Sequence, residues 1–122
     1  MAEAFRGEYD LRVDGKARVA VPAVYRRVLM QGDPAYATTM RPRLIIVYGG
    51  DNRKFCEVFT IDGMRRMERR IARLPINDPD GRRAYLSRNY ITMSQEIEVD
   101  DDGRFVLPPK VRAKIGLSPD DL

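Results

Sequence analysis

The side chains best placed to do chemistry fall in two short stretches with the same spacing. Asp14 and Arg18 bracket a turn that carries Lys16, and Asp100 and Arg104 repeat the arrangement 86 positions later. Arginine presents a planar donor fork that matches guanine O6/N7 or a phosphate, whereas a tip lysine is a flexible point charge suited to phosphate. Arg18, Lys16 and Arg104, with Arg12 on the preceding strand, are therefore the candidate residues for binding a nucleic acid. Asp14 and Asp100 sit where a carboxylate accepts the N–H groups of its own turn, so they are candidate structural caps. An ion pair that holds Arg18 or Arg104 inside the fold is the competing reading. The tips differ, because Asp101 and Asp102 replace Gly15 and Lys16. The first hairpin is therefore expected to bear more of any binding to a polyanion.

Other chemistry finds little support. Histidine is absent, which removes the commonest general base and transition-metal ligand. No Ser-His-Asp or Cys-His set and no phosphate-cradling glycine loop is present, so no catalytic residue is expected. Cys56 is the single cysteine and falls in an alternating strand, where packing is the expected role. Asp100-Asp101-Asp102-Gly103 lacks the further spaced ligands of a calcium loop, and a hairpin turn accounts for it without an ion. No metal, cofactor or small-molecule substrate is expected. The net charge is +4, with 22 Lys and Arg against 18 acids. That balance is compatible with DNA, but an arginine-rich base composition would produce it too. No run of about eighteen apolar residues and no apolar signal core occur, so no membrane partner is expected and the cytoplasm is the default.

The elements that must position these residues form a repeat. Val13/Val99, Asp14/Asp100, Arg18/Arg104, Pro22/Pro108 and Arg26/Arg112 are identical at one offset. Two copies of one structural unit follow, each a strand, a tight Asp-x-x turn, a return strand and a helix. In the first copy, 8–13 and 18–21 are the strands, Pro22 opens a helix over 23–30, and Gly32-Asp33-Pro34 ends it. Val24, Val28 and Leu29 are expected inward, with Arg26 and Arg27 nearer solvent. Residues 34–42 read as a loop, and 44–48 and 55–60 as a strand pair. Thr60 or Asp62 caps a helix to about Leu74, with Ile61, Met64, Met67, Ile71 and Leu74 on one face and Arg65, Arg66, Arg69, Arg70 and Arg73 on the other. That arginine face reads as a solvated surface, a subunit contact or a phosphate contact. A second helix is expected over 81–90. The second copy runs as strands 95–99 and 104–107, then a helix from Pro108-Pro109 to Ile115 with Gly116 as its stop.

This pattern resembles the MraZ family. Phe5-Arg6-Gly7-Glu8-Tyr9, Val13-Asp14 through Pro22 and Arg26 resemble the family's opening. Leu74-Pro75, Asp78-Pro79-Asp80 and Glu98 through Leu117 resemble the remainder. The resemblance implies an α+β, mostly β fold: a double SpoVT/AbrB-like swapped-hairpin barrel of two pseudo-repeats with short helices. Its division is 1–60 for the first half, 61–93 for connecting helices and 94–122 for the second half. That second half reads as cut short or as truly abbreviated, since it lacks the strand pair that follows the first copy. The resemblance further implies a repressor of the division and cell wall gene cluster, nucleoid-associated. It would bind tandem promoter repeats on double-stranded DNA as a homo-oligomer, a ring, through the arginines of its Asp-x-x-x-Arg hairpins. An AbrB-like antitoxin that regulates its own operon is the alternative, though such chains usually carry one copy and an acidic tail. Ala17 stands where the family usually has glycine, and is expected to fit only at negative φ.

Overall fold

The computed structural model describes residues 13–50 and 56–116. The expected strand over 8–13, apart from Val13, lies outside them, as do Arg12, Phe55 and residues 117–122. In chain order the elements are β1 (Arg18–Ala20), α1 (Ala23–Gln31), α2 (Tyr36–Thr39), β2 (Arg43–Val47), β3 (Glu57–Phe59), α3 (Ile61–Ala72) and α4 (Arg82–Leu86). A π-helical turn (Ser87–Thr92), β4 (Ser94–Glu98), β5 (Arg104–Val106) and α5 (Pro109–Ile115) follow. The fold is α+β, with antiparallel strands and short helices. Helical residues outnumber strand residues among those described, so "mostly β" is corrected, and the described strands form two small sheets without a closed barrel.

The first sheet is the meeting of the two copies. β1 pairs antiparallel with β5 in the register Arg18↔Val106, Val19↔Phe105 and Ala20↔Arg104. Because the repeat offset relates 18 to 104, 19 to 105 and 20 to 106, this register maps onto itself when the copies exchange. It is an internal two-fold. The same exchange relates the flanking bonds: Val21 N–H donates to Gly103 O and Leu107 N–H to Ala17 O, both at 2.8 Å. Each return strand therefore ends on the other copy's turn. A lone three-residue hairpin strand cannot bury its apolar face or satisfy its outer edge, and crossing with a second copy does both.

The side-chain alternation of this ladder sets its two faces. Val19 and Phe105 point into the core with Ala17, Leu29, Leu44, Ile46, Val99, Leu107 and Val111, while Val13, Val21, Cys56, Ile97 and Ile115 pack around it. Ala20 and Val106 face outward and are exposed. The second sheet, in the order β3-β2-β4, lies on the other side of this core, with Leu44, Ile46 and Val47 buried.

Local chemistry explains the helices. Pro22 precedes α1 with φ near −56° and has no N–H to satisfy, and Val28 and Leu29 form its buried side. Val24 is 40% exposed, a correction to its expected inward position, because the buried side of α1 is confined to its last turns. Thr60 accepts the N–H of Gly63 at the start of α3, whose Ile61, Met64 and Ile71 are buried. The expected 34–42 loop contains the single helical turn α2, which closes at Met40 with φ +58°. The expected 81–90 helix widens into a π turn. There Asn89 is buried, its Oδ1 accepting Gly50 N–H and its amide donating to Tyr85 O. A methyl group on Gly49 would stand 2.3 Å from Asn89 O, so this crossing requires glycine. Ala84 and Tyr85 of this segment are exposed.

Beneath α1, Asp33 is held without exposure of its side chain. It accepts Nη2 of Arg43 at 2.7 Å, Nε at 3.0 Å, and the N–H groups of Ala35 and Arg43. This pair joins the end of the first copy's helix to the first strand of the central sheet. Arg43 Nη1 continues to Glu96 on β4.

Candidate nucleic-acid interface

The first hairpin is built around Asp14. Its Oδ1 accepts the N–H groups of Lys16 and Arg18, each at 2.9 Å, and its Oδ2 accepts Arg18 Nε at 2.7 Å. The backbone closes the same turn through Asp14 N–H to Arg18 O and Ala17 N–H to Asp14 O, both 3.0 Å. These donors hold the carboxyl of Asp14 below the usual carboxylate range, the Arg18 N–H first among them. One residue thus shapes the turn and aims the arginine. The terminal nitrogens of Arg18 and the ammonium of Lys16 meet no partner among the described residues, and Lys16 is exposed.

Ala17 has φ +60°, a correction to the expectation of negative φ. Its counterpart Gly103 has φ +75°, so both turns take the left-handed conformation and only one uses the residue suited to it. Ala17 is held by the bond its carbonyl accepts from Leu107 N–H of the other copy and by its own N–H to Asp14 O, and it buries its methyl group in the core.

The second hairpin repeats the backbone and departs at the side chains. Asp100 Oδ1 accepts the N–H groups of Asp102 and Arg104, each at 2.9 Å, which lower its carboxyl as at Asp14. Arg104, however, leans to Asp102, with Nη2 donating at 3.1 Å, and its Nε stands 4.0 Å from Asp100 Oδ2. Asp101 receives both Nε and Nη2 of Arg41, which also reaches Glu98. The acidic tip is therefore occupied by arginines of its own chain. Asp100 to Asp102 are directed at backbone N–H groups and guanidinium groups, and no cluster suited to a metal ion occurs among the described residues.

Strand register then brings the two arginines together. Arg18 is opposite Val106 and Arg104 opposite Ala20, so all four share the outward face of the ladder. Diagonal neighbours across such a pair lie about 7–8 Å apart. The result is an exposed strip with a carboxylate-held guanidinium at each end and small or apolar side chains between. Such a strip can engage two neighbouring anionic groups, and the internal two-fold orients the arginines oppositely. Pro22 and Pro108 stand just beyond each return strand and open α1 and α5.

Sequence spacing located both hairpins but missed the residues that cross between them. Arg26, expected nearer solvent, is half-buried with Nε unpartnered, and it lies over Gly103, where a methyl group would come within 2.6 Å of Nη1. Its counterpart Arg112 likewise has a buried, unpartnered Nε. The identity of Arg26 and Arg112 in the repeat was the available signal. Arg41, which occupies the second tip, gave none.

By fold and site, the chain is an α+β protein in which two copies of an Asp-x-x-x-Arg hairpin cross about an internal two-fold. No protein-family model matches it. It is 53% identical over 122 residues to a Transcriptional regulator MraZ of Cereibacter sphaeroides, covering all of this chain and 70% of that protein. The same name is borne by a Ruegeria pomeroyi relative, 43% identical over 117 residues, covering 96% of this chain and 69% of that protein. An Acetivibrio thermocellus relative, also a Transcriptional regulator MraZ, is 31% identical over 116 residues, with 95% and 71% covered. The chain belongs to the MraZ family, as the resemblance of its motifs implied.

Proposed function

We propose that the chain is a sequence-specific DNA-binding repressor of the division and cell wall gene cluster, cytoplasmic and nucleoid-associated. It binds tandem promoter repeats as a homo-oligomeric ring and catalyses no reaction. The observation that carries this reading is the shared outward face of Arg18 and Arg104, Arg18 held through its Nε on Asp14 and Arg104 through its Nη2 on Asp102. An arginine with its Nε tied to a carboxylate has its remaining donors pre-aimed, which suits a bidentate contact to guanine. Lys16 extends the first tip toward a phosphate, and Arg12 is a further candidate for DNA contact. Arg104 contributes less, because Asp102 competes for it.

The crossed ladder is consistent with a swapped-hairpin SpoVT/AbrB-like organisation, with residues 1–60 and 94–122 as halves joined by 61–93. One chain offers few cations, so affinity rests on repetition. A ring that presents several such faces to consecutive DNA repeats raises the effective concentration of each contact.

The test is footprinting on the promoter of the chain's own gene cluster, with duplexes of one and of several repeats titrated in parallel. Protection of repeats, tighter binding to the multi-repeat duplex, and loss of binding by Arg18→Ala with an unchanged circular dichroism spectrum are the expected results. Equal affinity for both duplexes refutes the ring-and-repeat part. Undiminished binding by Arg18→Ala refutes the assigned site.

A further inference from the structure

We infer that the exposed face of α3 is a second DNA contact, a sequence-independent seat for the phosphate backbone, resting on the DNA-binding reading above. Arg65, Arg66, Arg69, Arg70 and Arg73 are all exposed. At about 100° per residue they cover roughly 140° of the helix surface, and at about 1.5 Å per residue they extend over about 12 Å. The opposite side is fixed, because Ile61, Met64 and Ile71 are buried against the sheet. The strip therefore has a defined direction of presentation.

Its charge pattern is what distinguishes it. Arg18, Arg41, Arg43, Arg82 and Arg104 each meet a carboxylate. The five arginines of the α3 strip form no ion pair with any described residue, and the acids of the helix, Asp62 and Glu68, do not bind them. A helix face that serves only solubility alternates sign at i, i+4. Here 65/69, 66/70 and 69/73 set arginine on arginine, and like charges at that spacing repel. A bound polyanion removes that repulsion.

The chemistry selects the polyanion. A strip of about 12 Å matches three to four phosphates along one strand, at about 3.4 Å of rise each. The cations are all arginine, whose fork grips phosphate oxygens in pairs. A lipid surface would require apolar side chains beside the cations, and the apolar residues Ile61, Met64 and Ile71 of this helix are turned to the core. The side chains are long and exposed and have no carboxylate to orient them, unlike Arg18. Such contacts neutralise charge and fix orientation without reading bases.

The experiment compares the full chain with Arg65→Gln/Arg69→Gln/Arg73→Gln and with Arg18→Ala. Each is titrated against a repeat-bearing duplex and a scrambled duplex from 50 to 200 mM salt. Each lost phosphate contact lowers the slope of log K on log salt by about 0.9, or about 3.5-fold in affinity across that range. The triple variant is expected to lose about two contacts, so its salt-dependent loss should be about twelve-fold smaller on both duplexes, with the preference for repeats kept. The corresponding Arg→Lys triple variant should keep most of the slope. Arg18→Ala should lose the preference for repeats. A wild-type slope in the Gln variant overturns this inference and leaves the hairpin reading standing. A changed sedimentation coefficient with that unchanged slope assigns the strip to a subunit contact instead. No binding of wild type to either duplex overturns both.

Discussion

The crossed hairpins make an unequal demand on two equivalent positions, and Gly103→Ala measures it. Gly103 has φ +75°, and the added methyl group would stand 2.6 Å from Arg26 Nη1 and 3.0 Å from its Cδ and Cζ. The left-handed conformation costs an L-residue about 1–2 kcal/mol. A stiffer unfolded chain returns about 0.4–1 kcal/mol of that. Moving Arg26 adds an overpacking cost of about 1–3 kcal/mol, because its stem is wedged against the turn. The expected loss is about 2–3 kcal/mol, near 10 °C in Tm for a chain of this size. Ala17→Gly, the reciprocal change, relieves the left-handed strain. It also loosens the unfolded chain and removes a buried methyl group worth about 0.8 kcal/mol, so it should fall within about 1 kcal/mol of wild type. Urea unfolding at one fixed protein concentration measures both, since assembly would otherwise shift the midpoint. In a double-mutant cycle, Arg26→Ala should remove the overpacking, so that Gly103→Ala costs at least about 1 kcal/mol less in that background. Strict additivity, or equal effects at Gly103 and Ala17, would refute the wedge.

Asp33→Ala leaves Arg43 with Glu96 alone. Breaking a buried pair costs about 3–5 kcal/mol, and since the Arg43 side chain keeps 24% exposure, a loss of about 2–4 kcal/mol in urea unfolding is expected. The Arg43 donors hold the Asp33 carboxyl below its ordinary range, so its folded pKa lies under its unfolded value. Its stabilisation is then complete above about pH 4 and fades as pH falls through the folded value. Asp33→Asn should flatten the acid limb of stability against pH, and superimposable acid limbs would contradict the assignment. Asp102→Lys releases Arg104 and gives the second tip the cation of the first. Fluorescence anisotropy should show DNA binding about 3- to 10-fold tighter near 0.1 M salt, one to two phosphate contacts' worth. Unchanged or weaker binding would mean that Arg104 does not face DNA.

The amino-acid sequence determined whatever depends on neighbours a few positions apart. The Asp-x-x-x-Arg spacing and its repetition marked both turns, Pro22 and Pro108-Pro109 marked the helix starts, and the period of Ile61, Met64 and Ile71 marked the buried side of α3. Such features rest on local dihedral preference and side-chain period, which a short window contains. Residues that meet across the fold were decided by tertiary structure alone. Asp101 meets Arg41 from 60 positions away, Asn89 meets Gly50 from 39, and Asp33 is a buried ion-pair partner where the chain spelled only a helix stop. The left-handed backbone of Ala17 belongs here too, because a long-range bond from Leu107 N–H and burial of its methyl group hold a conformation that alanine alone would avoid. Above all, the sequence announced two hairpins, but only their crossing in the Val19↔Phe105 register set Arg18 and Arg104 on one face. A shift of one residue in that register would have turned one of them into the core.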